Sequence, residues 1–254
     1  MTGLPWLDAA FWGWVASLGL IAGALAGLYA KLEHQAIARV MAIGAGLLLA
    51  ALSIDLIIES IEVAGHWQAC VGLGGGAVAF SGLNALLARQ GAKHRKRCGD
   101  CQRQATEQEA PGSGVAIAMG TVLDLIPESM VLGLETVRSG APALAILVAF
   151  FLGNVPEALS GSAGMVTAGR TKTYVAGLWI GASVLGALAA GTSAALLNGT
   201  PAQIMGWLSA FAAGGMLAMV VETMIPEAAH GSPRFNGIIA AAGFAGIIVL
   251  LSFS

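Results

Sequence analysis

Charge is what this sequence has least of. Only 10% of its 254 residues are Asp, Glu, Lys or Arg, where a soluble domain carries roughly 25%, and that shortage excludes a water-soluble globular class. Histidine is scarce as well: His34, His66, His94 and His230 are the four in the chain, and none falls at the centre of an apolar stretch. No basic residue precedes the first apolar run, since the first Lys or Arg is Lys31. That run is therefore read as a retained helix rather than a signal peptide. The three cysteines argue for no disulfide. Cys70 falls inside an apolar stretch as a small packing residue, and Cys98 and Cys101 fall in a loop read as cytosolic, a reducing compartment.

What is present in abundance is apolar sequence. Hydrophobic residues make up 57% of the chain, and there are 36 glycines. Apolar stretches of about 20 residues, the length that spans a bilayer, fall at 12–30, 37–58, 67–88, 114–135, 141–165, 174–197, 203–225 and 236–253. The expected fold class is an all-α membrane protein of eight transmembrane helices, one domain over 1–254, with the lipid bilayer as its partner. Gly19, Gly23 and Gly27 recur every fourth residue in the first stretch, a spacing that suits close helix packing in lipid.

Basic residues set the orientation. With the N-terminus outside, Lys31, Arg39, the six between Arg89 and Arg103, Arg170, Lys172 and Arg234 all lie inside, and Arg138 is the exception. The polar stretch 89–112 is then a cytoplasmic loop. It reads H-R-K-R-C-G-D-C around His94, Cys98 and Cys101, a spacing that can bind zinc. A fourth ligand is missing and the neighbouring positive charges oppose a dication, so it is read as a solvated basic loop. One short basic loop on a membrane protein indicates no nucleic-acid partner.

Against this background a few carboxylates stand out, because an ionised carboxylate in hydrocarbon costs several kcal/mol. In D-L-I-P-E-S, residues 124–129, Asp124 and Glu128 are four apart and project from one helical face. In G-N-V-P-E-A, residues 153–158, Asn154 and Glu157 occupy the middle of the next helix, so four oxygen-bearing side chains can meet at one depth. Pro127 and Pro156 each remove an amide hydrogen and free the carbonyls of Leu123 and Leu152, which is tolerable in a membrane where backbone lines a cavity. Further acids extend the series. Asp55 and Glu59 in D-L-I-I-E-S, with Glu62 and Glu135, fall toward the outer side; Glu222 and Glu227 in E-T-M-I-P-E-A, followed by His230, fall toward the inner side. An acidic route of entrance, midplane and exit results, although solvated helix ends account equally for Glu62, Glu135 and Glu227.

These motifs, in this order, resemble the ZIP (Zrt-, Irt-like) divalent metal transporters, and in particular their GufA-like prokaryotic branch. D-L-I-P-E-S and G-N-V-P-E-A are similar to the family's H-N-x-P-E-G and Q-N-x-P-E-G on helices 4 and 5, D-L-I-I-E-S to H-L-x-P-E-A on helix 2, and V-V-E-T-M-I-P-E-A to V-V-E-E-x-I-P-E-A on helix 7. The resemblance covers essentially the whole chain. It implies a 3+2+3 bundle in which helices 1–3 and 6–8 are related by inverted pseudo-symmetry, a homodimer, both termini outside, and location in the inner (plasma) membrane of a bacterial or archaeal type of cell. It also marks departures. The helix 4 histidine and asparagine align with Asp124 and Leu125, the helix 5 glutamine with Gly153, and a helix 6 glutamate is replaced near Ser183, whereas Glu128, Asn154 and Glu157 are kept.

The expected function is transport of a divalent transition-metal cation toward the cytoplasm through one midplane site built by Asp124, Glu128 and Glu157, with Asn154 and freed carbonyls as further ligands. The metal is the transported substrate, and no cofactor is expected. Oxygen ligands favour harder cations such as Mn²⁺, while the resemblance points to Zn²⁺ and Fe²⁺, so the three stand together. An intramembrane metallohydrolase would need histidine ligands and an open water position; the lack of a midplane histidine argues against an enzyme. A transport-inactive sensor or scaffold would also explain why the family's second metal site, to which the helix 6 glutamate belongs, is incomplete here.

Overall fold

A computed structural model describes residues 3–30, 32–89, 106, 108–109, 113–231 and 234–252. The loop positions His94, Cys98 and Cys101 lie outside the described residues. Among the described residues eight helices follow one another: α1 (Pro5–Tyr29), α2 (His34–Ala64), α3 (His66–Leu87), α4 (Ser113–Ser139), α5 (Leu144–Thr167), α6 (Lys172–Leu197), α7 (Ala202–His230) and α8 (Asn236–Leu251). No strand occurs among the described residues.

Local chemistry accounts for several ends. Pro5 opens α1 where its missing N–H costs nothing, which is why the helix begins well before the apolar run that announced it. Thr171 caps α6 by accepting a hydrogen bond from the Tyr174 N–H. A single residue, Gly65, turns the chain from α2 into α3 at φ +93, a conformation that side chains disfavour. Pro226 lies within the last turns of α7.

Two of the long helices are not uniform. Residues Ala51–Ile57 of α2 and Val220–Met224 of α7 wind as wider π turns, a form that is rare and frequent at functional sites. The first run contains Asp55 and the second Glu222. Pro127 and Pro156 lie inside α4 and α5, which continue through them.

Six helices, α1, α2, α3, α5, α6 and α7, are long and apolar enough to cross a membrane. α8 is shorter, at 16 residues, and α4 carries Asp124, Glu128, Glu135 and Arg138. The distribution of side chains fits such a setting, for large apolar groups stand on the outside: Val78 is 75% exposed and Leu196 76%. The carboxylates of α4 and α5 are inside.

Small residues let the helices touch backbone to backbone. A Cβ on Gly19, Gly23 or Gly27 would lie 2.0, 2.1 or 2.6 Å from the carbonyl oxygens of Phe151, Val155 and Leu159 on α5, so the spacing read from the sequence is the α1–α5 contact. Gly76 meets the Phe211 carbonyl and Gly214 the Leu73 carbonyl where α3 packs on α7, and Gly46 and Gly243 do the same between α2 and α8. α1 also packs on α6, α6 on α4, α2 on α5 and α7, and α4 on α7. Cys70 is exposed on α3 rather than packed, because the apolar stretch holding it turns one face outward.

Candidate metal centre

α4 and α5 bring their polar residues into the bundle interior. Asp124, Glu128, Asn154 and Glu157 are each no more than 3% exposed. The Asn154 side-chain amide donates to Glu128 Oε2 at 3.0 Å and lies 3.4 Å from the Ala16 carbonyl of α1. Gly19 makes that approach possible, since a Cβ there would sit 3.1 Å from the Asn154 Cβ. Asn154 Oδ1 is buried and accepts no hydrogen bond among the described residues, which leaves an oxygen donor beside the Glu128 carboxylate.

Among the described residues no group of three His, Cys, Asp or Glu side chains is placed to hold a metal ion. Glu128 with Asn154 is a direct contact within the expected set.

The positions Leu125, Gly153 and Ser183 carry no charged side chain. Leu125 is buried in a cluster with Leu20, Ala158 and Ala182. At Gly153 the Leu48 side chain of α2 fills the space, and a Cβ there would meet it at 2.9 Å. Ser183 is 1% exposed and its hydroxyl has no hydrogen-bond partner among the described residues.

Each proline of the pair rests on a glycine of another helix. A Cβ on Gly44 of α2 would come within 2.6 Å of the Pro156 ring, and one on Gly215 of α7 within 3.1 Å of the Pro127 ring.

The remaining acids divide into three places. Glu59 of α2 pairs with Arg138 of α4, which also stands 3.9 Å from Glu135. Asp55 is half-buried nearby, and both it and Glu59 lie near enough for their charges to act on Glu135. Glu227 is buried and accepts a hydrogen bond from Ser160 of α5 at 3.1 Å. Glu222 is not beside it. It is exposed and turned toward α3, where it accepts from Ser81 and, at 2.7 Å, from Asn84. His230 is exposed and donates from Nδ1 to the Pro226 carbonyl of its own helix. The structure thus joins Asp55, Glu59 and Glu135, and separates Glu222 from Glu227.

Ser160, Ser81 and Asn84 were not among the residues expected from sequence. Ser160 stands three residues after Glu157 in an apolar run, and that placement was its only signal. A comparison with protein families and one with curated proteins each return no match for this chain. Fold and site together define a helical bundle with six helices able to span a membrane and an acid–amide pair buried between two proline-bearing helices.

Proposed function

We propose that the protein moves a divalent cation, Zn²⁺, Fe²⁺ or Mn²⁺, toward the cytoplasm through a site on α4 and α5, in the manner of the ZIP transporters its motifs resemble. The observation that carries this reading is the burial of Asp124, Glu128, Asn154 and Glu157 inside a bundle whose exterior is apolar. Carboxylates are expensive there and are kept, in membrane helices, chiefly for pathways and ion sites. A dication arriving between α4 and α5 would find the Glu128 carboxylate and Asn154 Oδ1 adjacent, with Asp124 and Glu157 one helical turn or less along the same helices.

The packing scheme supports the finer 3+2+3 arrangement. Exchanging α1 with α6, α2 with α7, α3 with α8 and α4 with α5 carries α1–α5 onto α6–α4, α3–α7 onto α8–α2, and α2–α5 onto α7–α4, all of them observed contacts. The same exchange carries the Pro156–Gly44 contact onto Pro127–Gly215, and one π run onto the other. Inverted repeats with a midplane site between them are a recurrent transporter plan. Leu125, Leu48 over Gly153, and Ser183 supply no charged second ligand set, which supports one site rather than two.

A transport-inactive metal sensor is the alternative. Metal flux into sealed vesicles holding the purified protein, run over Zn²⁺, Fe²⁺, Mn²⁺ and Ca²⁺, separates the two. Saturable uptake of a transition metal is the expected result. Metal binding without any flux would replace the transporter with the sensor.

A further inference from the structure

Arg138 is the one basic residue that the charge distribution leaves on the outer side, and the structure gives it a seat there. Its guanidinium pairs with Glu59 and lies 3.9 Å from Glu135. Asp55, one turn before Glu59, is close enough for its charge to act on Glu135. The Asp55 Oδ2 atom is buried and accepts no hydrogen bond among the described residues. A cation is therefore already present in the acid cluster, and it is covalently attached to α4. The side chains of Arg138 and Glu59 keep 19% and 33% exposure, so the pair is not sealed inside the bundle.

We propose that Arg138 is a tethered cation in the acidic mouth formed by Asp55, Glu59 and Glu135, which a transported dication must displace from Glu59 before it moves inward. The inference rests on the transporter reading. Its physical basis is charge: an arginine side chain stays protonated at all working pH, so the mouth always holds one fixed positive charge among its carboxyl groups. An incoming ion competes with that charge for Glu59. The attraction of a cation to the carboxylates scales with its valence, so a dication can replace the guanidinium where K⁺ or Na⁺ has no such advantage. Arg138 then acts as a positioning residue that sets both the concentration needed to load the mouth and the discrimination against monovalent ions.

The test uses the full chain in sealed vesicles, with Mn²⁺ and Zn²⁺ as probes and K⁺ as competitor. In Arg138→Gln the concentration for half-maximal uptake should fall, on the order of fivefold for the loss of one charge at about 4 Å in water. Its maximal rate per folded protein should hold, and K⁺ should inhibit more strongly. Arg138→Lys should behave as the wild type, and the exchange Glu59→Arg with Arg138→Glu should restore K⁺ resistance. A merely structural ion pair would instead lower the yield and the maximal rate of Arg138→Gln and leave half-saturation and K⁺ sensitivity alone; that outcome overturns the inference. So does a charge exchange that folds but leaves K⁺ as inhibitory as in Arg138→Gln. Glu128→Ala serves as the control for the transporter reading itself. If it takes up metal as well as the wild type, that reading fails; if it is inactive while Arg138→Gln matches the wild type, the inference alone fails.

Discussion

The side-chain amide of Asn154 on α5 donates to a carboxylate oxygen of Glu128 on α4 across 3.0 Å, with both residues almost wholly out of solvent. A neutral donor in that position stabilises the ionised carboxylate without adding charge of its own.

Replacing the amide with an acid reverses that effect. Asn154→Asp puts a second carboxylate beside Glu128, and like charges at such range oppose ionisation of the pair. The metal-free variant should melt several degrees below the wild type in detergent. Added Mn²⁺ should then raise its melting temperature more than it raises that of the wild type, because a ligand stabilises the state that binds it. Equal shifts for the two proteins would show that no dication sits at this contact.

Removing either kept glutamate should stop transport while sparing insertion. Glu128→Ala and Glu157→Ala are each expected to cut initial uptake by at least about tenfold, the lower end of what a metal site loses with a supporting group. Uptake equal to the wild type at matched protein content, in both variants, would remove the proposed centre.

Asp124 offers a test of selectivity. Histidine there would exchange a hard anionic oxygen for the nitrogen that zinc favours. In competitive uptake, Asp124→His should move the Zn²⁺ to Mn²⁺ ratio toward Zn²⁺. An unchanged ratio, or a move toward Mn²⁺, would mean that Asp124 is no selectivity ligand.

The backbone contacts give a stability test independent of metal. Gly23→Ala forces a methyl group to within 2.1 Å of the Val155 carbonyl oxygen, and overpacking of this kind costs about 1–3 kcal/mol. Gly74 and Gly82 on α3 have nothing within 4 Å of an added Cβ. Alanine there should be neutral or stabilising by up to about 1 kcal/mol, given its better helix propensity. Melting temperatures of Gly23→Ala and Gly74→Ala that fall together would contradict the close α1–α5 contact.

The parts of the structure that were legible in the sequence are those set by one-dimensional pattern. Apolar run length marked eight helices, the four-residue glycine period marked a close packing face on α1 without its partner, and carboxylates too costly for lipid marked the interior of α4 and α5. What was not legible depends on direction around a helix and on neighbours remote in sequence. Glu222 and Glu227 are five apart, so a small difference in winding decides whether they face together, and the π run at Val220–Met224 precedes the turn that carries Glu227. Leu48 filling the place at Gly153 is a contact between α2 and α5 that no local spacing encodes. Helix ends moved by several residues where Pro5 and Pro226 proved compatible with helix.

Where a glycine lies directly on a carbonyl, no layer of side chains separates the two backbones, and there is nothing between them to re-sort. The seams of α1 with α5, α3 with α7 and α2 with α8 are of this kind. A change of shape that leaves those seams intact must be taken up elsewhere, and the seams left for it include α2 with α5 and α4 with α7. Those are the ones where the rings of Pro156 and Pro127 rest on Gly44 and Gly215, contacts of a side chain on a bare backbone rather than of one backbone on another.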